Sequence, residues 1–277
     1  MCYNKALKAD KYSIEKFYDA TMRDIEYAPK YFETGFDFEN DPILTVERPK
    51  EILMYRWGFV PWFEKDAGKI SKPVGTLNCK SEGMFTTPSF RDAARQNRRC
   101  LIPATSFIES HWSSVTKATP KNKIPFKIFA KDQDIFSIAG LYSYWKDKET
   151  GQEIFSYTVL TTAANEMMRY IHNNPKNPHR MPVIIKKEYE RDWLNEKLSE
   201  DDVLALCKSM PEDFLSSHPI TKNINSTRIT SAEKNIPDID KLVEYSSDEL
   251  DEVDTPRPPK AIKTKKGKPD QSQTSLF

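Results

Sequence analysis

The sequence predicts an α+β fold with a mainly antiparallel sheet. Its 277 residues are 38% hydrophobic and 30% charged, which is enough apolar chain for one large globular core. Runs with the composition of strands cluster between residues 99 and 186. Strands and helices do not alternate as repeated β-α-β units, and this order favours an antiparallel sheet over a parallel one.

Five runs are rich in β-branched and aromatic residues and predict strands. They cover residues 99–109, 125–130, 135–144, 154–162 and 183–186. Gly151, within residues 145–152, predicts a hairpin turn between two of them. Helices are predicted over residues 89–98, 163–172, 187–198 and 200–210. Ser199 is suited to cap the last helix, with Asp201 and Asp202 near the positive end of its dipole.

The charge balance excludes DNA binding by bulk charge, since 42 basic minus 41 acidic residues leaves +1, but a local basic groove remains possible. With 8 Gly and neither a GxGxxG nor a GxxxxGK[ST] motif, no phosphate-binding glycine loop is expected. No apolar run approaches the roughly 18 residues of a membrane span. The N-terminal stretch MCYNKALKADKY lacks the apolar centre of a signal peptide. We therefore expect a cytoplasmic protein without a membrane partner.

The composition changes after Tyr245. Residues 248–254 carry five acids in seven positions, and residues 256–268 carry six bases and three prolines. Such a stretch cannot bury enough apolar surface to fold. The sequence therefore predicts one folded unit over residues 1–244 and a disordered, charged tail over residues 245–277.

Cys2 follows the initiator Met1, and removal of Met1 would leave an N-terminal cysteine with an amine and a thiol on one residue. Both groups are partly in their nucleophilic forms near neutral pH. An aldehyde reacts with such an aminothiol first at the amine, to give an imine, and then at the thiol, to close a five-membered thiazolidine. Many proteins also begin with Met-Cys by chance, so the position of Cys2 alone does not establish this chemistry. The other cysteines are scattered without a CxxC pair, which indicates reduced thiols and no metal site.

Five further segments follow Cys2 in a specific order. They read RWGFVPWF (56–63), TLNCKSE (76–82), SFRDAARQNRRCLIPATSFIE (89–109), TTAANEMMRYIH (161–172) and RMPVI (180–184). Over roughly residues 1–230 the chain thereby resembles the SOS response-associated peptidase (SRAP) family, whose members crosslink to abasic sites in single-stranded DNA. The resemblance implies a barrel-like sheet with flanking helices, no metal or organic cofactor, and work at the nucleoid.

The resemblance assigns roles residue by residue. The family's catalytic cysteine falls on Cys2, its asparagine on Asn78 and its glutamate on Glu109. The arginine of the family's Asn-x-Arg-Ser-Glu motif is Lys80 here, which binds phosphate as a point charge rather than through a bidentate fork. By itself, Glu109 reads equally well as a surface acid at a strand end or as an acid/base in an apolar setting.

The catalytic histidine has two candidates because six residues are inserted between the family's His and its Arg-Met-Pro. Counting forward from Thr161 selects His172, and counting back from Arg180 selects His179. We favour His172, since the helix before it should fix its position while the Pro/Asn-rich insertion bulges. The other histidine would then only end a helix or lie in a loop.

Candidates for contact with DNA are Lys80, Arg91 and Arg180 for phosphates, and Trp57 and Trp62 for stacked bases. The alternative for Arg91 is a solvated helix face. Tryptophan beside glycine and proline is more often core packing, so only one of the two should touch DNA.

The resemblance implies a protein that crosslinks abasic sites through Cys2, with lyase activity possible at the imine stage. An N-terminal-cysteine peptidase and a non-catalytic DNA-binding module are the alternatives. A second partner is suggested by the C-terminal Gln273-Thr274-Ser275-Leu276-Phe277, which resembles the motif by which bacterial repair proteins bind the replicative sliding clamp. A match over only five residues is equally compatible with a chance resemblance.

Overall fold

The structure is a computed structural model that describes residues 2–23, 26–114, 122–174, 176 and 179–250. Within these ranges the strands are β1 (Asn4–Leu7), β2 (Thr21–Met22), β3 (Lys30–Thr34), β4 (Asn40–Thr45), β5 (Glu51–Trp57), β6 (Asn78–Lys80), β7 (Arg99–Ala104), β8 (Ser106–Trp112), β9 (Lys123–Ala130), β10 (Phe136–Lys146), β11 (Glu153–Ala163), β12 (Arg180–Pro182), β13 (Ile184–Ile185) and β14 (Leu215–Pro219). The helices are α1 (Lys11–Tyr18), α2 (Ala67–Ser71), α3 (Arg91–Arg95), α4 (Glu166–Ile171), α5 (Glu190–Trp193), α6 (Glu200–Leu206), α7 (Ser231–Lys234) and α8 (Ser247–Leu250). None of these helices is long and apolar enough to cross a membrane.

Five strands close into a ring. β11, β10, β7, β4 and β5 pair in that order through antiparallel ladders. Strand β5 then pairs with β11 in parallel, with Tyr157 opposite Trp57. The predicted α+β class with a mainly antiparallel, barrel-like sheet is therefore confirmed.

The second sheet places the N-terminal strand in its interior. Its order is β14-β9-β8-β1-β3, so β1 is hydrogen-bonded on both edges. Asn4 lies opposite Ile108 of β8 and Thr34 of β3. Because a central strand is held along both sides, the backbone leading into Cys2 has a fixed position.

Alternation along the strands divides the core into two apolar clusters. On β10, Phe136 and Ile138 pack with the second sheet, whereas Ala139 and Leu141 face the cluster that contains helical residues of α1, α3 and α5. Helices α1, α3 and α5 thus pack against one face of the ring, and the second sheet packs against the other face.

The predicted strand over residues 99–109 is two strands. It breaks at Thr105, whose hydroxyl accepts a hydrogen bond from the Lys8 backbone N–H at 3.1 Å. β7 belongs to the ring and β8 to the second sheet, so the break carries the chain from one sheet to the other. The hairpin around Gly151 is confirmed, and Gly151 has a φ of 72°.

The predicted helices form but are shorter. The last prediction covers residues 200–210, and α6 ends at Leu206. Ser199 caps it as predicted, in a capping box with Asp202. The apolar periodicity of the sequence continues after the helical hydrogen bonds end, and for this reason the predicted helix was too long.

The folded unit reaches beyond the predicted boundary at residue 244. The Tyr245 hydroxyl donates to the Ile220 carbonyl at 2.8 Å, and helix α8 follows. Residues 245–250 therefore belong to the packed unit rather than to the tail. Residues 251–277, which contain most of the predicted tail and the C-terminal motif, lie outside the described residues.

A buried ion cluster joins the two sheets. The Lys5 ammonium of β1 lies 2.7 Å from Glu33 and 3.6 Å from Asp41, and all three side chains are almost fully buried. Asp41 also accepts a hydrogen bond from the Tyr157 hydroxyl at 2.6 Å. Burial opposes ionisation of Asp41, but the charges of Lys5 and Lys30 together with its hydrogen bonds lower its pKa to about 2. Burial and the charge of Asp41 raise the pKa of Glu33 well above its usual range.

Lys5→Met should destabilise the fold by about 3–5 kcal/mol, because it removes the buried cation next to Glu33 and leaves Asp41 with Lys30 alone. Urea unfolding measures the loss as a lower midpoint with an unchanged slope. Lys16→Met, at an exposed position on α1, is the matched control and should shift the midpoint little. Equal midpoints for the two variants would show that the cluster does not hold β1.

Candidate active site at the start of the N-terminal strand

A cavity of about 210 Å³ opens where β1, β8 and β9 begin or end near helix α4. Its lining comprises Tyr3, Asn4, Ile108, Glu109, Ser110, Trp112, Lys123, His172 and Asn174. It is smaller than the roughly 300–1,000 Å³ of ordinary ligand pockets. A group the size of a sugar fits this volume better than a whole nucleotide.

The Cys2 thiol is buried beside this cavity, with 1% of the residue exposed. Its Sγ lies 3.6 Å from the Asn4 carbonyl oxygen. Burial, and next the negative charge of Glu109, raise the pKa of the thiol well above its usual value. The thiol is therefore held protonated near neutral pH, and it needs a neighbouring base before it can react as a nucleophile.

Glu109 is placed by β8, at the position of that strand opposite Phe126 of β9. Burial raises the pKa of its carboxyl to about 7, against the opposing positive charges of the chain terminus and Lys123. At neutral pH the group is divided between acid and base, which suits general acid–base catalysis. The structure thus favours the acid/base reading of Glu109 over the surface-acid reading.

His172 faces Glu109. Its Nε2 lies 3.8 Å from the Glu109 Oε2, and its Nδ1 accepts a hydrogen bond from the Arg180 backbone N–H at 3.1 Å. Burial, followed by the nearby positive charges, lowers the pKa of His172 to about 3. The ring is therefore neutral, and because Nδ1 is an acceptor, the ring proton sits on Nε2 and points toward the carboxyl group.

Further contacts fasten strand β8 to the end of helix α4. The His111 Nδ1 lies 2.8 Å from the Tyr170 carbonyl oxygen. The Asn173 side chain accepts from the Trp112 N–H at 2.8 Å and donates to the Trp112 carbonyl at 2.9 Å. These contacts fix the spacing between Glu109 on one element and His172 on the other.

The inserted segment leaves His172 in place and returns next to it. The His179 N–H donates to the His172 carbonyl at 2.7 Å, and His179 itself adopts a left-handed φ of 61°. The structure brings His172, rather than His179, to Glu109. The helix before His172 does fix its position, whereas His179 is held through its backbone N–H.

Asn78 lies on β6, beside Val159 of β11. It is 9% exposed, and neither atom of its side-chain amide has a hydrogen-bond partner in the described part of the chain. Buried polar groups are nearly always paired, so this amide is available for a ligand. Leu77, directly before it, shares an apolar cluster with Cys2. Cys79 points into the other cluster, as strand alternation predicts.

The side chains that were predicted to bind phosphate differ in exposure and in whether a carboxylate of the protein already pairs with them. Lys80 is exposed, and the Arg91 side chain is half exposed, with its Nε 3.6 Å from Asp92. The Arg180 guanidinium instead makes a bidentate pair with Glu82, at 2.7 and 2.8 Å. This pairing lowers the pKa of Glu82. A phosphate at Arg180 has to compete with that carboxylate.

The prediction that Trp57 stacks on a base is wrong. Trp57 is 1% exposed, and its Nε1 donates to the Leu77 carbonyl at 3.0 Å, so the ring is part of the core. Trp62 is 60% exposed and donates to Asp92 at 2.9 Å, next to Arg91. As expected from the Gly and Pro neighbours, at most one of the two can meet DNA.

Sequence reasoning missed the cavity residues Trp112 and Lys123, and the clamp made by Asn173. The spacing gave no signal for Trp112, because a residue three positions after Glu109 on the same strand is expected on the opposite face. Lys123 and Asn173 enter the site only through strand pairing and the path of the insertion, which no local pattern shows. Among the described residues, no group of three or more His, Cys, Asp or Glu could hold a metal ion.

Comparison with known proteins agrees with this geometry. The family described as SOS response associated peptidase (SRAP) matches residues 1–227. The chain belongs to this family. The abasic site processing protein YoqW of Bacillus subtilis (strain 168) is 36% identical over 225 residues, or 79% of this chain and 92% of the relative. The chicken (Gallus gallus) abasic site processing protein HMCES is 28% identical over 69% of this chain and 59% of its own length.

The fold is also found in a crystal structure of a protein from Bacteroides thetaiotaomicron. The two chains superpose with a TM-score of 0.77 at 28% identity, covering 88% of this chain and all of the other. The ring of strands and the second sheet are therefore the family's architecture.

The Glu109 carboxyl should titrate with a midpoint near pH 7, because it is buried. Carbon-13 NMR of selectively labelled glutamate, with Glu109→Gln to assign the resonance, measures this midpoint. The Glu82 carboxyl is the internal control and should titrate below its ordinary range because of Arg180. An ordinary carboxyl midpoint for Glu109 would contradict the buried site.

Proposed function

We propose that this protein responds to DNA damage by linking itself covalently, through Cys2, to abasic sites in single-stranded DNA. The observation that carries the proposal is the placement of the N-terminal aminothiol beside a buried pair, Glu109 and neutral His172. The names of the relatives supply the substrate class, an abasic site. The small cavity supports it, since a sugar without a base fits there.

The first covalent step uses the α-amine of Cys2 after Met1 has been removed. The amine attacks C1′ of the ring-opened sugar, and loss of water leaves an imine. Glu109, as an acid, protonates the departing oxygen, and the unpaired amide of Asn78 orients the amine. Ring opening itself needs a proton moved between the ring oxygen and the C1′ hydroxyl, which the same carboxyl can transfer.

The second step closes the thiazolidine. The Cys2 sulfur bonds to the imine carbon, and the proton lost from sulfur ends on the nitrogen. Because burial keeps the thiol protonated, Glu109 in its carboxylate form takes that proton, while the Nε2–H of His172 faces Glu109 and stabilises the carboxylate. In reverse, the same groups reopen the ring.

The surface around the cavity would hold the strand. Lys80 and Arg91 are exposed and would bind phosphates, Trp62 offers a face for one base, and Arg180 would bind phosphate if Glu82 is displaced. Binding of this kind is sensitive to salt. A protein that acts on such DNA works at the nucleoid.

Two other activities follow from the same residues. The imine stage allows β-elimination, which would cut the strand in a lyase reaction. A peptidase would use Cys2 as an attacking thiolate, and Glu109 would have to take the proton of its buried thiol, as it does in ring closure. The names of the relatives, which are abasic site processing proteins, support crosslinking better than peptide cleavage.

Cys2→Ala should abolish a heat-stable crosslink to an abasic single-stranded oligonucleotide, while weak, salt-sensitive binding persists. Cys2→Ser should give at most a labile imine, because a hydroxyl closes the ring poorly. A denaturing gel measures the adduct, and Cys79→Ala, buried in the other apolar cluster, is the matched control. A heat-stable adduct of the Cys2→Ala protein would refute the mechanism.

His172→Ala should slow crosslink formation or reversal by roughly a hundredfold, because it removes the N–H that faces the acid–base group Glu109. His179→Ala should change the rate little, since His179 does not face Glu109. A time course on the same oligonucleotide ranks the two variants. The opposite ranking would mean that the insertion delivers His179 to the substrate.

The C-terminal motif adds a proposed partner, the replicative sliding clamp, bound through Gln273, Leu276 and Phe277. Two apolar anchors and a polar glutamine at the end of a charged tether suit a preformed pocket, although the motif's second position is Thr274 rather than Leu. A labelled peptide of residues 268–277 should bind the clamp at roughly micromolar levels. Changing Leu276 and Phe277 to Ala should remove binding, and no saturable binding of the unaltered peptide would end the claim.

A further inference from the structure

Lys123 is an amine in the candidate site that the proposed reaction leaves unused. It begins strand β9, opposite Trp112 of β8, and its side chain lines the same cavity as Glu109 and His172. It is half-buried. Its ammonium makes no hydrogen bond or ion pair with any residue in the described ranges, although it acts on Glu109 through its charge.

We propose that Lys123 is a second catalytic amine, which forms an imine with the open-chain aldehyde of the abasic sugar before Cys2 does. The inference rests on the proposed function, because it places the same aldehyde in the same cavity. Lysines that are shielded from water lose part of their preference for the charged form and become nucleophiles for carbonyl groups.

The surroundings of Lys123 fit this role. Burial lowers the pKa of its ammonium, while the charge of Glu109 opposes the shift. Glu109 is also the proton donor that imine formation needs, since a hydroxyl must leave as water. The other titratable groups that line the cavity are Tyr3 and the neutral His172, so Lys123 is the lining residue that supplies an amine.

The steps balance without a further reagent. The Lys123 amine adds to C1′ and water leaves with the help of a proton from Glu109, which gives a protonated carbon–nitrogen double bond. The Cys2 amine then adds to that carbon, and Lys123 departs as a free amine that carries away one proton of the incoming amine, so that the new double bond to the Cys2 nitrogen is also protonated. The Cys2 thiol finally closes the ring and returns its proton to Glu109. A protonated imine is more reactive toward amines than the aldehyde it replaces, so the exchange speeds the first step.

The alternative role of Lys123 is to bind a phosphate. Substitution by arginine distinguishes this role from imine formation. Lys123→Ala should slow formation of the heat-stable adduct by roughly tenfold if Lys123 is a nucleophile. Lys123→Arg should be equally slow, because a guanidinium cannot form the imine yet still binds phosphate. Lys127→Ala is the matched control, since Lys127 is on the same strand but pairs with Asp240 at 3.0 Å, away from the cavity. Its rate should match the unaltered protein.

The covalent intermediate can be trapped directly. The full-length Cys2→Ala protein, incubated with an abasic single-stranded oligonucleotide and sodium borohydride, should carry a reduced sugar adduct on Lys123. Peptide mass spectrometry distinguishes this adduct from one on the N-terminal amine. Circular dichroism and thermal melting verify that each variant folds.

The outcomes separate the two hypotheses. If the unaltered protein forms no heat-stable adduct, the proposed function fails whatever Lys123 does. If it forms one, but Lys123→Arg restores the rate lost in Lys123→Ala and no adduct maps to Lys123, then Lys123 only binds phosphate and the inference is overturned. Slow Ala and Arg variants together with a mapped adduct establish it.

Discussion

The buried ammonium of Lys5 is the contact on which the site depends. It lies on β1, three residues after Cys2, at 2.7 Å from Glu33 of the same sheet and 3.6 Å from Asp41 of the ring, whose low pKa makes it the ionised partner. Tyr157 of the ring completes the cluster through Asp41. An isolated charge in this position would be very costly, so the two sheets can meet only when β1 lies in its place. The requirement for charge pairing thereby positions Cys2, the residue to which the proposed chemistry is assigned.

The proposed chemistry depends on burial, which shifts the pKa values of acidic and basic groups in opposite directions. Burial raises the pKa of the Glu109 carboxyl, lowers that of the His172 imidazole and raises that of the Cys2 thiol, since in each case the charged form is disfavoured. A neutral imidazole, a protonated thiol and a half-ionised carboxyl result. Only the carboxyl changes its state near neutral pH, which makes it the group that moves protons.

Much of the site could be predicted from the sequence because its residues sit in short ordered blocks. Cys2, Asn78, Glu109 and His172 were all predicted as site residues in this way, and the structure places Glu109 and His172 face to face. The fold class followed from the order of strands and helices. Closure of the ring did not, because the parallel pairing of β5 with β11 joins segments about a hundred residues apart in sequence. Trp57 was misjudged, since its burial depends on that closure.

The bidentate hold of Asn173 on Trp112 has a consequence for how such a site can change. Together with the bond from the Arg180 N–H to His172, it pins both ends of the inserted segment to fixed points of the scaffold. Longer loops cost little once their ends are held. This segment can therefore become longer or shorter during evolution while His172 keeps its position. Such changes would alter one wall of the cavity. For protein engineers, the same segment is a natural place to graft a reporter next to the cavity.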